Sequence, residues 1–397
     1  MQQKLLALVV TVILVAAVAP ASVAGTAGAP AVQGVDQQAQ SIPTLSSSAQ
    51  DSLTCEYPLE LEDGTGETVT LEEEPESVVA LQPSDAQVLF EIGAEDTVTG
   101  MPVGQYTDYL DADEDLDITD DSDVEPITEE VIDREPDIVL AADAVSGADA
   151  VDQLRDADVP VYVFQTEDSL EGVAENIRLT GQIVGECEGA EDRIDEMNDR
   201  LEIIEEALDG EDRPLAFYPM GPDGFTPGEG TFQDEILTTA GVENLGADAG
   251  IEGWEQINDE TVIEEDPEWI IYGESWGEPP VSEAVMGTTA YETEQFVTVH
   301  DNFMSQPGPL VVNAIEDIAQ EVHPEAYEEA AADFEDDETD DGDAADDDES
   351  GTESDENGAD DGAVGADDAD NDSIPGFGAP VAIVAALLAG AFLARRQ

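Results

Sequence analysis

The chain is almost without positive charge. Across its 397 residues, nine lysines and arginines stand against 99 aspartates and glutamates, and Lys4 is the lone lysine. With no basic patch there is no footprint for a phosphate backbone, so nucleic acid is excluded as a partner. Histidine and cysteine are scarce as well, two of each. Two histidines, His300 and His323, are too few for a His-rich metal site. No Walker-type phosphate loop is present. The glycine-rich "GPDGFTPGEG" (221–230) has no lysine beside it and reads as a mobile loop rather than a phosphate cradle. Carboxylate pairs abound, and their abundance removes their catalytic meaning. The sequence therefore predicts a non-enzyme, with neither metal nor resident cofactor.

What the chain has in excess is negative charge, a formal −90. Such a charge strains a compact fold by self-repulsion in dilute buffer. At about 1 M salt the Debye length falls to about 3 Å and the repulsion is largely screened. The composition reads as adaptation to a salt-loving life, and it reports habitat more than mechanism.

The two ends are unlike the rest. Residues 1–24 carry one lysine, an apolar stretch from Leu5 to Val18, and small residues at Ser22 and Ala24. That is the layout of a signal peptide cleaved after Ala24, so the protein is expected outside the cell. A disordered N-terminal segment follows over 25–53. Residues 332–373 are dense in Asp and Glu, with Gly, Ala and Ser between them. They have almost nothing to bury and should form an extended, disordered stalk of roughly 130 Å. Residues 374–397 end in an apolar run from Ala379 to Ala394, followed by Arg395 and Arg396. The positive-inside rule places those arginines in the cytoplasm, which makes the run a membrane anchor on the extracellular face. "SIPGFG" with its apolar run and terminal arginines resembles the PGF-CTERM sorting signal of archaeal surface proteins. That resemblance implies an archaeosortase that removes the tail and attaches the new end to lipid; the alternative is a helix that stays.

Between the ends the pattern is α/β. Strand candidates are "SVVAL" (77–81), "DIVLA" (137–141), "PVYVF" (160–164), "PLAFY" (214–218), "EWIIY" (268–272) and "QFVTV" (295–299). Helical patterns at 84–92, 147–157, 231–240 and 309–321 lie among them. Short apolar strands alternating with helices argue for parallel sheets covered on both faces. The expected order is an N-terminal extension (54–75), an N-terminal lobe (76–167), a bridge (168–209) and a C-terminal lobe (210–331). From Asp168 to Leu208 there is no proline, and apolar residues recur at helical intervals, which predicts one long bridging helix of about 60 Å. Gly181, Gly185 and Gly189 sit on it at four-residue spacing; they mark either close packing or a break. Cys55 and Cys187 are the two cysteines, and in an exported protein they are expected to pair, stapling the N-terminal segment to the middle of that helix.

The lobes echo each other. "TEEVIDREPDIVL" (128–140) and "DETVIEEDPEWII" (259–271) share Glu, Val-Ile, Pro and an apolar strand at identical spacing. A short helix ending before the proline explains the Val-Ile and the Pro. It does not require Glu129 and Glu260. Aromatics are few, at 5%, so their placement matters. Tyr106, Tyr109, Phe225, Trp254 and Trp276 all fall in expected loops, where flat apolar side chains can wall a large ligand. Trp269, inside a strand, reads as core.

Two lobes, a bridge and a cleft resemble the helical-bridge class of ABC-transporter substrate-binding proteins, those for vitamin B12 and iron–siderophores. The resemblance runs over about 76–331, through "ESVVALQPSDAQVLFEIGAEDTVTG", "EPDIVLA", "RLTGQIVGECEGAE", "GTFQDEILTTAGVENLG" and "DNFMSQPGPLVVNAIEDIAQEVHPE". It implies a monomer that binds a small-molecule chelate and hands it to an ABC importer permease. It also implies that the tryptophan of "WEQINDE" and the tyrosines of "YTDY" line the cleft, and that Glu129 and Glu260 dock the permease, one from each lobe. Within the predicted mature chain the six arginines (134, 155, 178, 193, 200 and 213) avoid the aromatic loops. An anionic catecholate siderophore or haem would want cations there; a neutral hydroxamate siderophore or a corrinoid would not, and between those two the sequence does not choose. A structural surface protein that merely presents the acidic stalk is the rival reading.

Overall fold

The computed structural model describes residues 53–120, 124–142, 149–165 and 169–343. The expected export signal, the sorting signal at 374–397 and the stalk beyond residue 343 lie outside them. A hairpin of β1 (Leu59–Glu62) and β2 (Thr68–Leu71) leads into β3 (Val78–Ala80), α1 (Pro83–Glu91), β4 (Val98–Gly100), α2 (Thr128–Asp133), β5 (Ile138–Ala141), α3 (Asp149–Asp156) and β6 (Val161–Val163). Two helices, α4 (Leu170–Val184) and α5 (Cys187–Ala207), follow. The second set is β7 (Leu215–Phe217), β8 (Phe225–Pro227), α6 (Phe232–Thr239), β9 (Glu243–Asn244), α7 (Leu245–Asp248), β10 (Trp254–Gln256), α8 (Asp259–Glu265), β11 (Trp269–Gly273), α9 (Thr289–Glu292) and β12 (Phe296–Val299). The last helices are α10 (Asp301–Ser305), α11 (Val311–Val322) and α12 (Pro324–Asp343).

Each lobe holds a four-stranded parallel sheet, in the orders β4-β3-β5-β6 and β9-β7-β11-β12. Counted along its own lobe, each sheet has its second strand at one edge, then the first, the third and the fourth. The strands are apolar on both faces because both faces are covered. Val78, Ala80, Ile138 and Leu140 point into the large central core, whereas Val79, Leu81, Val139 and Ala141 point to the opposite cluster with Val131, Val151 and Leu154 of α2 and α3. In such sheets the order reverses between the first and third strands, and the crevice for a ligand opens beyond their carboxyl ends. Those positions are β3/β5 in one lobe and β7/β11 in the other.

The bridge is not one helix. Gly185 caps α4 in the left-handed conformation, with φ of 88°, which a residue with a side chain adopts at a cost. The chain turns there, and α4 packs against α5 and α1. The bridge is therefore α5 alone, about 30 Å long, resting on α11 of the C-terminal lobe. The other two glycines serve close packing. A Cβ on Gly181 would stand 2.6 Å from the Ala190 Cβ, and one on Gly189 would collide with the Ile92 carbonyl. Periodicity alone hid the break, because the apolar positions on either side of it keep helical spacing.

Cys55 and Cys187 are disulfide-bonded, with Cα atoms 6.0 Å apart. The bond reaches the first residue of α5 rather than the middle of a longer helix. The hairpin it helps hold is fixed further by Tyr57, whose hydroxyl donates to the Ile183 carbonyl at 3.0 Å, and by the ion pair of Asp63 with Arg155. At the other end, α12 runs past the expected lobe boundary at 331 into the acidic segment. Its Ala- and Glu-rich run has strong helix propensity and meets no glycine before Gly342.

Candidate functional site

A cavity of about 270 Å³ opens at the reversal point of the N-terminal sheet. Its floor is Gln82 with the first turn of α1 (Pro83 to Asp85) and Ala142 just past β5, and α4 contributes Asn176 and Thr180. Ser305, Gln306 and Pro307 arrive from the C-terminal lobe, so the cavity lies in the cleft between lobes. Its described lining contains no arginine, lysine or histidine.

A second group of side chains stands beyond the carboxyl ends of β7 and β11, and none of them is in the described lining of this cavity. Trp254 is half exposed, at 50%, and its indole N–H donates to Gln233 Oε1 at 3.1 Å. Gln233 in turn donates to the Met304 carbonyl at 3.1 Å, immediately before the three residues that reach the cavity. Phe225 is 42% exposed and Trp276 46% exposed, Trp276 lying against the backbone of Gly221. Met220, at 40%, joins them; it lies in the loop after β7 and carries no aromatic signal for sequence reasoning to find.

The expected loops are more ordered than a loop. Phe225 and Trp254 stand on β8 and β10, which pair antiparallel with Trp254 opposite Pro227 and Gln256 opposite Phe225. The stretch 221–230 is thus half of a ribbon rather than a free loop, because backbone pairing fixes it.

The two tyrosines part company. Tyr106 is exposed and lines the cavity, and its carbonyl accepts from Gln306 Nε2 at 2.9 Å. Tyr109 is not on the cavity wall. Its hydroxyl accepts from Gln87 Nε2 at 2.8 Å and donates to Gln306 Oε1 at 2.7 Å, while its ring packs edge-on to Phe303 and His300. Burial pushes that phenol well above its ordinary range, so it stays a neutral donor. Around it the lobes are fastened. Leu310 N donates to Gln87 Oε1 at 3.0 Å, Asn302 Nδ2 donates to the Gln105 carbonyl at 3.1 Å, and Arg193 on α5 joins Glu91 of α1 to the Pro309 carbonyl. None of Gln87, Asn302 and Gln306 stood out in the sequence, where a buried amide looks like any other.

Glu129 and Glu260 are exposed in the first turns of α2 and α8. The repeat that carries them extends to the backbone. Val131 and Val262 are buried, Glu135 and Asp266 are both left-handed with φ of 50° and 48°, and buried Pro136 and Pro267 follow. Exposed Ile127 precedes α2, and exposed Ile263 lies on α8.

Residues 273–277 read Gly-Glu-Ser-Trp-Gly, the letters of a nucleophile elbow. Ser275 Oγ donates to Asp301 Oδ1 at 2.8 Å, and its N–H donates to Oδ2 at 2.9 Å. His300 turns its Nε2 toward Glu274 instead, at 3.5 Å. An imidazole base is what an activated serine needs, and here the serine is spent as a turn clasp.

The model of the family described as periplasmic binding protein matches residues 78–301. The cobalamin-binding protein of Halobacterium salinarum is 32% identical over 281 residues, which cover 68% of this chain and 75% of that protein. The uncharacterized ABC transporter substrate-binding lipoprotein YvrC of Bacillus subtilis is 25% identical over 283 residues, covering 69% and 88%. Among solved structures, the periplasmic heme-binding protein RhuT from Roseiflexus sp. RS-1 superposes with a TM-score of 0.54 at 21% identity, over 64% of this chain and 99% of that one. With the paired parallel sheets, the bridging helix and the cleft between them, these findings place the chain in the periplasmic binding protein family.

Proposed function

We propose that this substrate-binding protein captures a corrinoid of the cobalamin type for an ABC importer. The observation that carries the reading is the pairing of an exposed apolar rim (Trp254, Trp276, Phe225 and Met220) with a cavity whose described lining has no cationic side chain. A macrocycle with a broad apolar face and neutral amide edges suits that combination. The anionic groups of a haem or a catecholate would find no partner there. The likeness to a cobalamin-binding protein favours the corrinoid over a neutral hydroxamate siderophore. Permease docking falls to Glu129 and Glu260, which occupy matching first turns beside exposed isoleucines; an apolar surround lets contact exclude water from a carboxylate that salt would otherwise screen. The acidic stalk and the PGF-type end would hold the protein at the outer face of the membrane, after archaeosortase processing or as a retained helix.

Titration of the purified protein with cyanocobalamin in molar KCl, followed by tryptophan fluorescence, tests the ligand. Saturable quenching at one site is expected. Binding of a ferric hydroxamate without cyanocobalamin would move the assignment to siderophores, and binding of neither would favour a structural surface protein.

A further inference from the structure

Among the described residues two aspartates are buried: Asp63, which is paired with Arg155, and Asp85, which is 6% exposed and lines the cleft cavity. One of its oxygens has a structural duty. Oδ2 accepts the Gln82 N–H at 3.2 Å and the Ala142 N–H at 3.0 Å, and so clasps the chain ends that leave β3 and β5. No described donor reaches the other oxygen, Oδ1, and it is not sealed in the protein interior. A helix cap alone needs no burial, and a strand clasp alone could be served by a neutral asparagine. Around Asp85 the cavity offers amides and hydroxyls (Gln82, Ser84, Gln165, Asn176 and Thr180) and, among its described residues, no other charge. Oδ1 is thus an accessible acceptor on an otherwise buried side chain, open to a donor that enters the cavity.

We propose that Asp85 is a specificity-determining residue of the cleft, whose Oδ1 accepts an N–H donor from the edge of the ligand. The donor is a side-chain amide if the ligand is a corrinoid, or an ammonium if it is a hydroxamate siderophore. A ligand that presents a carboxylate at this point is rejected by like charge and by the lack of any cation to neutralise it. The inference rests on the reading of the cleft as the ligand site. Burial pushes the carboxyl up to about 7 although two N–H groups donate to it, so the acceptor and like-charge roles belong to the ionised form above that pH.

The test uses the whole protein in molar KCl, at a pH well above 7 so that Asp85 is ionised, with four probes. They are cyanocobalamin, its derivatives with one peripheral amide hydrolysed to a carboxylate, ferrioxamine B with its free ammonium, and a cyclic trihydroxamate of the same chelating set without the amine. For whichever parent compound binds, Asp85→Asn should weaken affinity by about tenfold or more. An asparagine turned to serve both backbone N–H groups presents its own NH₂ to the ligand's donor. The intact protein supplies a second reading if that variant fails to fold. At least one carboxylate derivative, or the amine-free siderophore, should bind about tenfold more weakly than its parent compound. If the ligand binds, and neither Asp85→Asn nor any ligand-side change alters affinity, Asp85 is only a clasp, and the transport reading stands. If no probe binds, the functional reading fails and takes this assignment with it.

Discussion

The Tyr109 hydroxyl donates to Gln306 Oε1 at 2.7 Å, a hydrogen bond that joins residues 197 positions apart and from different lobes. Gln87 supplies the other half of the arrangement by donating to the same hydroxyl. Tyr109→Phe deletes one oxygen and leaves two buried amide groups short of a partner. Stability should fall by about 1–3 kcal/mol in thermal unfolding. The radius of gyration of the ligand-free protein should rise as the lobes loosen. Unchanged values of both would show that the bridge and apolar packing fix the lobes without this contact.

Trp254→Ala should weaken cyanocobalamin binding by about 1–3 kcal/mol, the range of an aromatic anchor. The indole is half exposed and makes one hydrogen bond to Gln233, so the unfolding temperature should move little. Equal affinity in variant and parent would remove Trp254 from the ligand site.

The variant Glu129→Ala with Glu260→Ala should bind ligand as the parent does, because both residues are exposed on α2 and α8, away from the described cavity lining. Stimulation of the importer's ATPase, or uptake in cells, should drop sharply. Persistent uptake, or loss of ligand binding together with uptake, would end the docking role.

Asp85 also sets a pH dependence. Its folded value lies near 7, above the ordinary 3.8, so the folded state holds a proton that the unfolded chain releases. Its contribution is most favourable below about pH 4 and is lost as pH climbs to 7, by roughly 2–4 kcal/mol. Tyr106 is the other titratable group on the described cavity wall. The stability difference between Asp85→Asn and the parent should therefore shift in favour of the variant between pH 4 and 7. Parallel stability curves would show that the carboxyl is ionised throughout that range.

Opening the Cys55–Cys187 bond by Ser substitution at both positions should lower stability by up to about 4–5 kcal/mol, since it closes a loop with a sequence separation of 132. Without reductant the unfolded parent should show no free thiol. Two titratable thiols would refute the bond.

Six of the eight strands that build the two sheets were legible because each is a short apolar run, whereas the edge strands β4 (Val98–Gly100) and β9 (Glu243–Asn244) are too short to leave such a run. The break at Gly185 was not, since a single left-handed residue leaves hydrophobic spacing intact. Phe225, Trp254 and Trp276, which the structure leaves exposed, stand out in the sequence because aromatics are rare in this chain. Met220 could not, because exposure is not written in a methionine. Asp85 was invisible for the opposite reason: in so acidic a sequence a functional carboxylate has no local signature, and only burial against Ala142 and Gln82 sets it apart.

The fastening of the lobes through Gln87, Tyr109, Asn302, Gln306 and Arg193 has a kinetic consequence. Lobes joined in this way leave little to order on binding, and association is expected to be a one-step encounter whose rate rises linearly with ligand concentration in stopped flow. Discrimination between similar ligands then falls to how long each one stays. On the proposed reading, release to the permease would follow when docking pulls these contacts apart, and Gln306, which belongs to both the fastening and the cavity wall, would carry that change to the ligand.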